Sequence, residues 1–250
     1  MSLIAKVQPK NYCVAVTVLA ITLALAGAPT AQAGDPSGYI NADALNSGVA
    51  SGIINRLKVS PIFAAVFKYH PGSEEILRAK LTEVAGGPVA TLEQNSAAEE
   101  AKFLGSYYFP DLSLASDKAI FNVLKNDEAV AQKYAKRPDM CVAYFNGTIS
   151  GMRTAEAQAI SDTLSDKRAE IVESAVSNPT RRPPPASPQA IIMQIVKAYN
   201  ALGYDPQHLR KLASLASLPA AENCQIQTEY TNALVSLGEA QAGYVVSIVH

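Results

Sequence analysis

The first 33 residues decide where the rest of this chain folds. Lys6 and Lys10 precede an apolar run from Val14 to Ala28, and Ala31-Gln32-Ala33 before Gly34 supplies the small residues that a signal peptidase cuts after. Together they read as a cleavable secretory signal over residues 1–33. The run falls short of the roughly 20 residues that a spanning helix needs, and no later segment comes closer, so no integral membrane segment is expected after cleavage. A lipid anchor would need a cysteine just after Leu25-Ala26-Gly27, where Ala28 stands, and no twin arginine precedes the run. The chain is therefore expected to cross unfolded and to fold in the periplasm or the medium.

An oxidising compartment changes the meaning of the cysteines. Cys13 leaves with the signal, and the remaining two, Cys141 and Cys224, are expected to pair as a structural disulfide. Neither belongs to a C-x-x-C motif, which argues against a redox site. Signal removal also takes the basic residues from 21 to 19 against 22 acidic ones, a net charge of −3 for residues 34–250. A mildly acidic chain without a basic patch is a poor ligand for phosphate backbones, so no nucleic-acid partner is expected.

Periodicity and punctuation argue for an all-α fold of roughly eight helices over residues 34–250, read as one unit. No sustained apolar/polar alternation of the strand kind is visible. Helix starts recur as a capping residue followed by proline at Ser60-Pro61, Ser187-Pro188 and Asp205-Pro206, and Ser116 and Thr154 open two more. The pattern predicts helices over Tyr39 to Val59, from Ser60-Pro61 to the His70-Pro71-Gly72 break, and from Ser73 to Val84. It predicts a further helix from Val89 to Tyr107, closed by the aromatic corner Tyr107-Tyr108-Phe109-Pro110. Asp139 to Phe145 reads as a brief inner helix, with a strand as the alternative, and Thr154 starts a long helix to Val176. Gly238 is placed to interrupt the last helix, which starts near Pro219 and runs to Val249. The segment 178–188 holds five prolines and reads as a linker or a surface strap. A bridge from Cys141 to Cys224 would cross it and tie the last helices to the earlier ones.

Chemistry-bearing motifs are missing. His70, His208 and His250 lie far apart without a ligand spacing, no G-x-S-x-G elbow or D-x-D-x-D-G loop occurs, and no catalytic, metal or cofactor-binding residue is assigned. His70, beside Pro71 at a helix end, reads as a cap for free carbonyls. Two features remain. Asp162, Asp166, Glu170 and Glu173 form an acidic stripe at helical spacing, either a solvated face softened by Lys167 and Arg168 or a docking face. Tyr107, Tyr108, Tyr144 and Phe145 either pack or line a pocket for a small apolar ligand.

The leading expectation is a non-enzymatic protein-interaction module of the cell envelope, whose partner is another envelope protein. A carrier or sensor of a small apolar ligand is the second, and a hydrolase with carboxylates assembled only by the fold is the third.

Overall fold

The computed structural model describes residues 42–152, 154–184 and 187–249. The secretory signal lies outside the described residues. Among those residues the chain is all-helical and forms eleven α-helices, more than the roughly eight expected because short pieces stand as separate elements. They are α1 (Ala42–Leu57), α2 (Pro61–Tyr69), α3 (Ser73–Ala85), α4 (Leu92–Leu114), α5 (Asp117–Lys133) and α6 (Pro138–Phe145). There follow α7 (Ala155–Ser177), α8 (Pro188–Ala201), α9 (Gln207–Lys211), α10 (Ala220–Ser236) and α11 (Glu239–Val249). No single described helix is long and apolar enough to cross a membrane.

Local chemistry accounts for most of the boundaries. Ser116, Thr154 and Ser187 accept hydrogen bonds from the backbone amides three residues on, satisfying donors that a helix start leaves open. The residues 139–145 are helical, with Pro138 in the first turn. Gly238 separates α10 from α11 with φ of 78°, a conformation that costs glycine little and other residues much.

Two expectations about boundaries are corrected. The helix holding Tyr107, Tyr108 and Phe109 does not end at Pro110 but runs through it to Leu114. Ser106 and Pro110 both lie on the exposed face of α4, so the carbonyl that loses its donor meets solvent and the helix survives. Ser60 does not cap α2 either. Its side chain makes no capping bond; Ser165 of α7 supplies it, its Oγ accepting from Ile62 N–H at 3.1 Å and lying 3.0 Å from Ser60 Oγ.

Two apolar clusters organise the packing. The larger draws Ile54, Leu81, Leu104, Ile120, Ile171 and Tyr199 with their neighbours from α1 to α5, the C-terminal half of α7, α8, the end of α10, and α11. The smaller gathers Val130, Tyr134, Met140, Tyr144, Ile149, Ile160 and Leu164. It also contains Cys141 and Cys224, which form a disulfide with Cα atoms 5.7 Å apart and stand 83 positions apart in sequence. Helices α5, α7 and α10 contribute to both clusters.

Two residues of the proline-rich segment, Thr180 and Arg182, are bound to the α4–α5 corner. Thr180 N–H donates to Leu114 O at 2.7 Å, and Arg182, with 8 % of its side chain exposed, donates to Ser113 O, Ala115 O and Asp117 Oδ1. One guanidinium thus closes the corner between α4 and α5. The same Asp117 receives α11 at close quarters: a Cβ added to Gly243 would stand 2.7 Å from Asp117 Cα, so the crossing of α5 and α11 requires glycine.

Candidate functional site

Helix α7 has a sharp division of faces. Ala157, Ile160, Leu164, Ile171 and Ala175 are buried, while Asp162, Asp166 and Glu173 are exposed on the opposite side and Glu170 is half-buried. The acidic stripe is therefore a real outer ridge, yet its members differ. Tyr69 O–H donates to Glu173 at 2.8 Å, and Glu170 accepts from Asn122 at 3.1 Å and from Lys167 at 2.5 Å. Burial pushes the Glu170 carboxyl up, but Lys167, Asn122 and Lys118 pull harder, and it lies below its ordinary range. Asp162 takes only an amide donor from Gln158, and Asp166 makes no hydrogen bond or ion pair among the described residues. Arg168, expected to soften the ridge, does not lie on it.

Beside the ridge runs a groove of about 290 Å³ between α5 and α7. Val130 and Ile160 form its apolar floor, Thr163 lies on its α7 wall, and Lys133 and Glu156 meet at 3.2 Å across one end. Glu156 is further held by Tyr134 O–H at 2.6 Å, and these donors keep its carboxyl below the ordinary range. Asn126 lines the groove at its other end.

Behind Asn126 lies a polar layer between the two apolar clusters. Asn126 Nδ2 donates to Tyr144 Oη at 2.9 Å, and Tyr144 O–H donates in turn to Asp127. The Arg168 guanidinium faces the same carboxylate and lies 5.8 Å from the centroid of the Tyr108 ring. Close packing pushes Asp127 up to about 6, against the pull of Tyr144 and Arg168. Burial likewise lifts Tyr108 to about 12 and Tyr144 well above the ordinary phenol value. Four helices, α4, α5, α6 and α7, each contribute a group, so the layer fixes their relative register.

The four aromatics singled out from the sequence are divided by this arrangement. Tyr108 and Tyr144 share the polar layer, and Phe145 packs edge-on against Tyr144 with centroids 5.2 Å apart. Tyr107 turns elsewhere, packing on His70 and Phe103 at 4.8 Å and 5.0 Å. The His70 ring does not cap carbonyls as expected; it lies 2.8 Å from the buried Asp111 carboxylate, which α4 carries because the helix continues past Pro110. His208 similarly contacts Glu229 at 2.7 Å.

Among the described residues the three buried carboxylates lie apart. Glu100, Asp111 and Glu229 are buried, but their side-chain partners are Arg56, His70, and His208 with Gln225, in separate places. Among the described residues no three His, Cys, Asp or Glu side chains are grouped so as to hold a metal ion.

Asp127 and Arg168 escaped the reading of the sequence although a signal was present. Ile120, Leu124, Asp127, Ala131 and Tyr134 follow one helical stripe, and Ile160, Leu164, Arg168, Ile171 and Ala175 follow another. A single charge stands at an inward position of each. Such a pair of opposite charges on two inward stripes is a sequence-level sign of a polar layer between packed helices. The chain matches no protein-family model, no curated protein and no solved structure.

Proposed function

We propose that this chain is a non-enzymatic binding module of the cell envelope, exported by its N-terminal signal, whose α5–α7 groove receives a basic, apolar-faced segment of another envelope protein. The observation that carries the reading is the juxtaposition on α7: an apolar floor at Ile160 and an outward acidic ridge at Asp162 and Asp166 share one helix. An amphipathic segment uses such a surface by placing its apolar side chains in the groove and its lysines along the ridge. The size of the groove suits roughly one or two aliphatic side chains rather than an enclosed small molecule. The ridge is also pre-ordered, since Glu170 and Glu173 are tied to α5 and α2. Binding then need not fix those side chains at additional entropic cost.

Charge reversal is the direct test. Titration calorimetry with a synthetic amphipathic Lys/Leu peptide should show about tenfold weaker binding to the Asp162→Lys, Asp166→Lys double variant than to the wild type. Ile160→Asp should weaken it as well, through the floor rather than the ridge. Equal affinity of all three proteins for the peptide, together with unchanged recovery of crosslinked envelope partners, would overturn the reading.

A further inference from the structure

The groove has two unlike ends. The contacts Lys133–Glu156 and Asn122–Glu170 set α5 antiparallel to α7, which brings Asn126 and Thr163 opposite each other on the groove walls. Lys133 and Glu156 close the other end as an ion pair, about 10 Å away along each helix.

Asn126 and Thr163 have their polar atoms arranged in the same sense. Tyr144 gives its only proton to Asp127, so its oxygen accepts from Asn126 Nδ2. While Asp127 is ionised this fixes the amide with Nδ2 inward and leaves Oδ1, which makes no hydrogen bond among the described residues, to the groove. Thr163 donates its hydroxyl proton to Ala159 O at 2.9 Å, and the lone pairs of its exposed side chain are left for a ligand. Asp166 stands nearly one turn further along the same helix, exposed and without a hydrogen bond or ion pair among the described residues.

We propose that the Asn126–Thr163 end of the groove is a subsite for a primary ammonium group, such as that of a lysine side chain, held by Asn126 Oδ1 and Thr163 Oγ1 while the Asp166 carboxylate supplies the opposite charge.

The chemistry of the ligand matches on each count. An ammonium offers three donors and no acceptor, the complement of two neutral oxygens beside one carboxylate. Its aliphatic stem lies over Val130 and Ile160, the apolar floor, while the charged head stays at the open end. The direction is set by charge: Lys133 repels a second ammonium at its own end, whereas Lys125 and Lys167, the cations next to the subsite in sequence, are paired with Glu128 and Glu170. A guanidinium is a poorer match, because its planar fork favours a carboxylate it can grip with two parallel bonds.

The subsite rests on the reading of the groove as a docking surface for its natural ligand, but it is measurable with a small amine alone. Nuclear magnetic resonance of the full chain at neutral pH is followed during titration with n-butylammonium chloride. A second titration uses butyltrimethylammonium chloride, which carries the same charge and stem but no N–H. Butylammonium is expected to shift the Asn126 side-chain amide and the Thr163 methyl, and to bind about tenfold more tightly than the trimethyl compound. Thr163→Val and Asn126→Leu should each remove that preference, with circular dichroism showing the helices intact; Thr163 is exposed, so its replacement spares the core. Equal affinity for the two compounds, or shifts that bypass Asn126 and Thr163, would overturn the subsite even if the Lys/Leu peptide binds. Selective binding of butylammonium by a protein that ignores the peptide would instead sink the groove reading and leave the subsite standing.

Discussion

The two apolar clusters are built on different terms. Among the described residues the larger has 29 buried members and no covalent tie, and it even accommodates an ionisable group, since Glu100 is 1 % exposed among its helices. The smaller has 11 and includes the disulfide. Burial of apolar area offsets chain entropy only when enough of it is gathered in one place, so a small cluster at the end of three long helices needs either more neighbours or a staple. The bridge stands where the apolar packing is thinnest. The polar layer of Asp127, Tyr144 and Arg168 lies between the two clusters, so neither simply extends the other.

Breaking the staple is the strongest way to separate the two. Replacing Cys141 and Cys224 with serine removes a constraint on a loop of 83 residues, about 4 to 5 kcal/mol in the chain-entropy account. Hydrogen exchange should then show Met140, Tyr144 and Ile149 losing protection first, with Ile54 and Leu81 still protected. Simultaneous loss would mean that α5, α7 and α10 transmit the damage and that the clusters unfold together.

The larger cluster has its own fault line, and pH exposes it. Burial raises Glu100 from 4.5 to about 7, with Arg56 at 3.5 Å pulling the other way. A carboxyl whose pKa is higher in the folded state binds its proton more tightly there, so its contribution to stability declines as pH rises from about 4.5 to about 7. The cost above that window is about 3 kcal/mol at most. Glu100→Gln should therefore raise the denaturant midpoint at pH 8 and leave it nearly unchanged at pH 4, flattening the pH dependence of the larger cluster. A variant less stable at both pH values would show that the Arg56 contact outweighs the burial cost.

A smaller effect tests the seam that runs from one cluster to the other along α7. Ser165→Ala removes the cap that α7 lends to α2 and should cost about 1 kcal/mol, measured by chemical denaturation. Ser60→Ala should cost less, because Ser60 caps nothing. Reversed magnitudes would place the capping oxygen back on the local residue.

The same contrast separates what was legible in the sequence from what was not. Ser116, Thr154, Ser187 and Gly238 act within one turn of themselves, and so do the helix boundaries that they set. The pairing of Cys141 with Cys224 followed from counting. Pro110 was misread because whether a proline ends a helix depends on which side of the helix meets solvent, a tertiary fact. The cap on α2 comes from a residue 103 positions away, out of reach of any local rule. At the candidate site the acidic ridge was legible from its spacing. The groove and the polar layer needed the packing of α5 on α7, although Asp127 and Arg168 marked their own positions by interrupting apolar stripes.

Arg182 adds an order in time. A chain emerging from its N-terminus presents α4 and α5 long before residue 182 exists, and until then the carbonyls of Ser113 and Ala115 and the carboxylate of Asp117 wait without the guanidinium that joins them. Helix α5 waits longer still, because α10 and α11, which cover it, follow later in the chain, and Cys141 lacks its disulfide partner until Cys224 arrives. Arg182, α10 and α11 are thus the pieces that close over α4 and α5. Whatever holds or guards the residues before Arg182 must do so until α10 and α11 have followed them.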